Sequence, residues 1–196
     1  GSGCGALEGY NRMHAILGGS EHCIAVHPSD MAVALLALDA RVVVRGPQGE
    51  RTVAVGELLV VPGTTPQVET TLARGELITH VTLAPSAWAA RSAYVKVRDR
   101  ASYAFALASA AVALEVEGGT IRQARVALGG VATRPWRCVE VEQALVGKKA
   151  TVEVFRQAAA ASVAGARPRR DNAFKVAMTP RVIVRALEQV AAGGSR

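Results

Sequence analysis

The chain has 196 residues, of which half are apolar and 4% are aromatic, and its net charge is +7. This length suits one or two compact domains whose cores are built from small and β-branched side chains. No apolar run reaches the roughly 18–20 residues that a membrane-spanning helix needs, and no signal peptide opens the chain. The sequence therefore predicts no membrane span, and a protein that is either cytoplasmic or exported together with a partner subunit.

The positive charge is scattered along the chain. Only residues 96–100 and 167–170 form small basic clusters, and aromatic residues are not interleaved with them as a single-strand binder would need. We therefore do not expect nucleic-acid binding. A solvated basic surface or a subunit-docking face is the favoured interpretation, and a zinc-binding regulator of nucleic acid is a weaker alternative.

The first half of the chain combines loops, helices and strands. Residues 1–19 predict an irregular loop with one short helix near residues 10–17. Ser29 or Asp30 can cap a buried helix over residues 31–38, and a helical turn is expected at 56–59. β-rich segments predict four strands, at residues 41–45, 51–55, 77–83 and 93–97.

The second half follows a hinge at residues 85–91. Residues 103–116 and 121–128 alternate around the tight turn Gly118-Gly119 and predict a hairpin, although 105–114 alone could also form a helix. Three helices are predicted, at 139–146, at 152–163, and at 180–192 with Pro180 in its first turn. The chain is therefore expected to be α+β, with two units that meet near residues 86–92.

The cysteine content suggests thiols or metal ligands, because an odd number without a secretory signal argues against a disulfide framework. Cys4 and Cys23 share one glycine-containing region, and thiolates in loops are the usual ligands of iron–sulfur clusters. Two thiolates do not complete a tetrahedral site. Three histidines nearby are alternative zinc ligands: His14, His22 and His27. The remaining interpretation is two buried thiols beside surface histidines, and Cys138 is expected to be a core thiol.

Two charged residues have both a structural and a functional interpretation. Asp30 is either a helix cap or a carboxylate that accepts a hydrogen bond from a ligand. Lys96 alternates with Arg98 and Arg100, which predicts either a strand edge protected by charge or a site for an anion or cofactor. The sequence contains no complete catalytic motif, so no catalytic residue is assigned.

Four segments carry a family resemblance through their order and spacing. They are HPSDMAVALLALDARVVVRG at 27–46, LARGELITHVTLAP at 72–85, YVKVRDRASYAFALASAAVAL at 94–114 and VALGGVATRPWR at 126–137. Together they resemble the FAD-binding (medium) subunit of the xanthine dehydrogenase and carbon monoxide dehydrogenase family of molybdenum hydroxylases. The resemblance implies the C-terminal part of an FAD-binding domain in residues 1–86. It also implies a CO dehydrogenase flavoprotein C-terminal-like domain in residues 87–196, a small antiparallel sheet with helices.

The N-terminal stretch GSGCGALEGYNRMHAILGGSEHCIAVHPSD resembles an insertion of the periplasmic aldehyde oxidoreductase flavoprotein group. That insertion carries a [4Fe–4S] cluster, which implies that Cys4 and Cys23 are two of its four ligands and that the other two lie upstream. The family's glycine-rich pyrophosphate loop and its TxGGN motif also precede this region. The resemblance thus implies an N-terminally truncated subunit that holds FAD weakly by itself.

The resemblance also implies cofactor contacts and partners. By position, Asp30 contacts the flavin end of FAD, the backbone of Ile78 lies against the isoalloxazine, and Lys96 lies near the ring. The implied partners are the molybdenum-cofactor subunit and the [2Fe–2S] subunit of a heterotrimeric enzyme that oxidises an aldehyde or an aromatic heterocycle. The alternative is a non-catalytic docking module without flavin.

Overall fold

The computed structural model describes residues 3–193, without the side chains of residues 87 and 88. Its strands are β1 (Arg41–Gly46), β2 (Gly49–Ala54), β3 (Leu77–Thr82), β4 (Ser92–Val97), β5 (Ala108–Glu117), β6 (Thr120–Gly129) and β7 (Trp136–Arg137). Its helices are α1 (Asp30–Ala37), α2 (Val55–Leu58), α3 (Val139–Leu145), α4 (Val152–Ala159) and α5 (Phe174–Ala191), and two 3-10 turns occupy Ala87–Ala90 and Ala160–Val163. The strands form two antiparallel sheets, ordered β2-β1-β3 and β4-β5-β6-β7. This confirms the predicted α+β class.

Helix α1 begins as the sequence predicts. Ser29 is its N-cap, and the Ser29 side-chain oxygen accepts a hydrogen bond from the backbone N–H of Ala32 at 3.1 Å. Val33 and Leu36 are buried, but Met31 is 69% exposed. The helix is therefore buried on one face only, and the expectation of an entirely buried helix was wrong, because only that face packs against a sheet.

The first sheet is built around the predicted hairpin. Strands β1 and β2 pair in register up to Gly46 and Gly49, and the valines at 42–44 of β1 are all buried. Strand β3 pairs with the other side of β1, and all six of its residues are exposed. Among residues 3–193, β3 thus forms an edge of this sheet and presents apolar side chains, including Leu77 and Ile78, to solvent.

The second sheet separates two cores. On β5, alternate residues such as Ala110 and Val112 face α3, α4 and α5, whereas Ala111 faces the core beneath α1. The β5–β6 hairpin turns at Gly118 and Gly119, which both adopt positive φ angles, so residues 108–114 are strand and not helix. Between residues 3 and 193, no helix combines the length and apolarity needed to cross a membrane.

The structure corrects two further sequence predictions. Residues 10–17 contain no helix: the backbone N–H groups of Ile16 and Leu17 donate to Val131 O at 2.8 and 3.0 Å, so pairing with a distant segment replaces local helical bonds. Helix α5 begins at Phe174, and Pro180 lies inside it and not in its first turn. An interior proline is costly, and the buried apolar face of α5 offsets that cost.

A buried lysine fixes the N-terminal loop to the rest of the molecule. Lys175 has no exposed surface, and its ammonium donates to the carbonyl oxygens of Met13 (3.1 Å), His14 (3.0 Å) and Gly130 (2.7 Å). Burial lowers the pKa of Lys175 to about 8, so it remains a cation at neutral pH. Asn172, also fully buried, donates to the carbonyls of His14 and of the next residue.

A polar network joins the end of α1 to the second sheet. The carboxylate of Asp39 accepts from Arg137 at 2.7 Å and from Arg125 at 2.9 Å. Arg137 also pairs with Glu142, whose carboxylate accepts from the backbone N–H of Val126 at 2.8 Å. Partial burial alone would raise the pKa of Asp39, but the hydrogen bonds from the two arginines lower it overall.

The Glu76 carboxylate should make the stability of the protein depend on pH through the first sheet. Its carboxylate accepts from Arg51 Nε and Nη2, both at 2.7 Å, and from the backbone N–H of Ala73 at 2.6 Å. The Arg51 bonds, followed by the Ala73 bond, lower the pKa of Glu76 from its ordinary 4.5 to about 2. Because this pKa is lowered by folding, the stabilisation is complete above pH 4.5 and is lost as the pH falls towards 2.

We therefore expect E76Q to remove part of the stability difference between pH 4.5 and pH 2 that the unsubstituted protein shows. Urea denaturation at a series of pH values measures it. E50Q, on the exposed face of β2, is the matched control. If the free energy of unfolding depended on pH in the same way for E76Q and the unsubstituted protein, the Arg51–Glu76 pair would not contribute to stability.

Candidate functional site

Three polar side chains meet where α1 faces β4. The Tyr94 hydroxyl donates to Asp30 Oδ1 at 2.7 Å, and Lys96 Nζ donates to Asp30 Oδ2 at 2.6 Å. Tyr94 and Lys96 are two residues apart on one strand, so their side chains point to the same side of the sheet. The sequence thereby brings one acid, one cation and one phenol together from segments more than sixty residues apart.

The position of Asp30 suits a carboxylate. It is the first residue of α1, where the helix N-terminus stabilises negative charge. The Asp30 side chain is 46% exposed and that of Lys96 is 19% exposed. The carboxylate thus remains open to a ligand while both of its oxygens have protein donors.

The cluster shifts two pKa values in opposite directions. Partial burial alone would raise the pKa of Asp30, but hydrogen bonds from Lys96 and Tyr94 and the nearby charge of Arg98 lower it overall. Burial raises the pKa of Tyr94, and the adjacent Asp30 carboxylate raises it further. At neutral pH the site therefore holds an ionised carboxylate, a cation and a protonated phenol.

A cavity of about 270 Å³ adjoins Asp30. Much of its wall is apolar, formed by Met13, Val26, Pro28, Val33 and Phe105. His14 and His27 also line it, and His14 Nδ1 is buried without a hydrogen-bond partner among residues 3–193. Burial lowers the pKa of His27. An apolar cleft with a few polar groups converging on it is typical of a site for a small organic ligand.

Two exposed aromatic residues follow β4. Phe105, on the cavity wall, is 65% exposed, and Tyr103 is 95% exposed with a positive φ of 52°. The Arg100 guanidinium donates to the Tyr103 carbonyl, at 3.0 Å from Nε, and so holds this unusual backbone conformation. An aromatic ring that is presented to solvent on a cavity wall, as that of Phe105 is, can extend the wall.

The structure brings together two of the three predicted cofactor-binding residues. Asp30 and Lys96 form an ion pair. Ile78 lies on β3 in the other sheet, is 48% exposed, and is not among the described residues that line the cavity beside Asp30. Sequence reasoning missed Tyr94, although its two-residue spacing from Lys96 on a strand was the available signal.

The predicted cluster cysteines are free thiols in the N-terminal loop. Cys4 is exposed and Cys23 is half-buried, with its Sγ accepting from the backbone N–H of Ala25 at 3.4 Å. Among residues 3–193, no group of three or more histidine, cysteine or acidic side chains is arranged to hold a metal ion. The assignment of Cys4 and Cys23 as cluster ligands stays a prediction. Cys138 is 1% exposed and burial raises its pKa, which confirms a core thiol.

Two family models match the chain in succession. Residues 6–86 match the FAD binding domain in molybdopterin dehydrogenase, and residues 92–190 match the CO dehydrogenase flavoprotein C-terminal domain. The second model alone covers about half of the chain. The chain belongs to the family of FAD-binding medium subunits of molybdenum hydroxylases.

Individual relatives agree with this family. The aldehyde oxidoreductase FAD-binding subunit PaoB of Escherichia coli is 45% identical over 98% of this chain and 57% of its own length. The glyceraldehyde dehydrogenase medium chain of Sulfolobus acidocaldarius is 35% identical over 67% of this chain and 44% of its own. A crystallised carbon monoxide dehydrogenase of Hydrogenophaga pseudoflava, lacking the Mo-pyranopterin moiety of its cofactor, matches with a TM-score of 0.72 at 28% identity, over 95% of this chain and 61% of that chain. The chain thus spans less than two thirds of each relative.

Proposed function

We propose that this chain forms part of an FAD-binding electron-transfer subunit in a molybdenum-containing oxidoreductase of the aldehyde or xanthine type. Residues 1–86 belong to the FAD-binding domain and residues 87–196 to the C-terminal domain. When bound, FAD supplies the redox chemistry, taking electrons from iron–sulfur clusters and passing them to an external acceptor. The partners are a molybdenum-cofactor subunit and a [2Fe–2S] subunit.

The observation that carries this proposal is the Asp30 carboxylate, held by Lys96 and Tyr94 beside an apolar cavity. A flavin ring has wide apolar faces and an edge of nitrogen and oxygen atoms, so it requires an apolar wall together with a polar rim. An ionised carboxylate has about four lone-pair sites. Tyr94 and Lys96 use two of them, which leaves acceptor capacity for an N–H or O–H group of the ligand. The donor set and the cavity therefore fit this end of FAD.

Asp30 and Lys96 have separate tasks. The Asp30 carboxylate would accept a hydrogen bond from the polar edge of the ring and thereby orient it. The Lys96 ammonium would stabilise negative charge on that edge.

The other predicted cofactor residues remain part of the proposal. Ile78 is a proposed backbone contact of the ring. Cys4 and Cys23 are proposed ligands of a [4Fe–4S] cluster whose other two ligands belong to a preceding segment.

The test compares FAD binding by whole complexes. The full-length subunit is co-purified with the molybdenum-cofactor and [2Fe–2S] subunits, stripped of flavin and titrated with FAD. We expect D30N and K96M each to weaken FAD binding about tenfold or more, because each removes a charge-assisted hydrogen bond. Flavin absorbance per complex and the dissociation constant are the measurements.

Two variants serve as matched controls. D99N alters an aspartate that also forms an exposed ion pair, with Arg12, and K148M removes an exposed lysine far along the chain. Both should bind FAD as the unsubstituted complex does. A complex that assembles fully but never contains flavin would contradict the proposal.

A second candidate function is subunit docking without flavin. It is favoured by the exposed apolar side chains of β3, among them Leu77, Ile78 and Val81. Exposed apolar residues on a sheet edge are typical of a contact surface. An intact complex free of flavin would support this function over the first.

A further inference from the structure

We propose that Tyr94 is a positioning residue for Asp30: its phenol fixes the carboxylate in the orientation that receives the cofactor. This inference rests on the proposed function and adds to it a residue that the family resemblance did not indicate. The inference is supported by two hydrogen bonds to the Asp30 carboxylate: Tyr94 donates to Oδ1 and Lys96 donates to Oδ2.

Two donors on different oxygens define the plane of a carboxylate, whereas one donor leaves it free to rotate. Lys96 is a flexible chain that ends in a point charge, and it can follow the carboxylate as it turns. Tyr94 is a rigid ring with two rotatable side-chain bonds. It stands on a strand that is paired with β5 along its whole length. The phenol therefore sets the angle, while the lysine contributes charge.

The surroundings of the phenol keep it a hydrogen-bond donor. Tyr94 is 37% exposed, and burial followed by the charge of Asp30 raises its pKa, so it stays protonated at and below neutral pH. Other ionisable groups near the carboxylate are Lys96 and Arg98 on the β4 side, and His14 and His27 on the cavity wall. Lys96 hydrogen-bonds directly to Asp30, as Tyr94 does.

Removing the hydroxyl should have two consequences. The carboxylate would lose its fixed plane, which weakens FAD binding. It would also lose one of the hydrogen bonds that stabilise its ionised form, so it would take up a proton at a higher pH. A structural role in packing alone would not change the pH at which FAD is released.

The experiment measures FAD binding by the assembled complex between acidic and neutral pH, for Y94F and for the control Y10F, whose tyrosine is 71% exposed. We expect Y94F to bind FAD about tenfold more weakly at neutral pH. We also expect it to release FAD at a higher pH than the unsubstituted complex does. Y10F should match the unsubstituted complex in both respects.

A double-substitution cycle separates the positioning role from direct contact. If Tyr94 acts through Asp30, adding Y94F to D30N should cause little further loss of FAD affinity. Full additivity of the two losses, or a Y94F complex with unchanged affinity and unchanged pH profile, would overturn the inference. An unsubstituted complex that binds no FAD would instead contradict the proposed function, so the two failures are distinguishable.

Discussion

K175M should lower the free energy of unfolding by about 3 kcal/mol or more, since it leaves three backbone carbonyl groups without their donor. The methionine side chain can fill most of the lysine volume, so the loss reports the ammonium and not a cavity. The carbonyls of Met13 and Gly130 belong to segments more than one hundred residues apart. The substitution should therefore loosen the N-terminal loop from the second sheet as well as destabilise the whole protein. Urea denaturation measures the first effect, and proteolysis within residues 3–17 measures the second.

K148M is the matched control, because this lysine is exposed and the substitution is chemically the same. Its effect should remain within about 0.5 kcal/mol. If K175M unfolded at the same urea concentration as K148M, the buried ammonium would not be the link between α5 and the N-terminal loop.

G130A should be similarly damaging, for a reason of backbone geometry. Gly130 has a φ of 72°, which costs other residues about 1 kcal/mol or more. A Cβ at this position would also lie 2.6 Å from the backbone oxygen of Ala106, which cannot move as a side chain can. Strain and overpacking together should remove about 3 kcal/mol, which corresponds to a fall in Tm of about 6–12 °C. Differential scanning calorimetry measures this.

G165A is the control for the same chemical change. An added Cβ at Gly165 would meet no atom of the described residues within 4 Å, so the Tm should change little. A G130A protein as stable as the G165A protein would mean that the turn after β6 relaxes at low cost.

The sequence predicted those elements whose signals are local. The hairpin of β1 and β2 has turn residues between two β-rich runs, and Gly118-Gly119 marks the turn of the β5–β6 hairpin. The cap at Ser29 is likewise a local signal, because its oxygen bonds a backbone N–H only three residues away. Such features depend on a few consecutive residues, so one sequence is sufficient to predict them.

The secondary-structure predictions that were wrong concern segments whose conformation is set by contacts with distant parts of the chain, and not by the preferences of neighbouring residues. Nothing near Ile16 and Leu17 indicates that they will pair with a segment after β6. The start of α5 was misplaced because Pro180 resembles a helix N-terminus, whereas buried Lys175 extends the helix upstream of it.

The candidate site was predicted only in part: two of its residues were found from the sequence, whereas Tyr94 and the cavity were not. Asp30 and Lys96 were candidates from their positions in the sequence, and the family resemblance gave them flavin contacts. The structure brings them within 2.6 Å of each other. The role of Tyr94 depends on which side of β4 faces α1, and that is decided by the packing of α1 on the second sheet. The cavity likewise combines the N-terminal loop with residues 105, 106, 129 and 130, a combination that only the tertiary fold creates.

The insertion of Ile16 and Leu17 into the core beneath α3, α4 and α5 has a consequence for evolution within the family. Recombination that joined the C-terminal half of this chain to the first half of a distant relative would place different side chains at positions 16 and 17. It would also change the loop whose backbone carbonyls accept from Lys175. Side chains of another size would leave a gap or an overlap in that core, and a loop of another shape would leave the ammonium without its acceptors. The two halves should therefore be inherited together, and compensating substitutions should link positions 13–17 to positions 130–132 and 172–175.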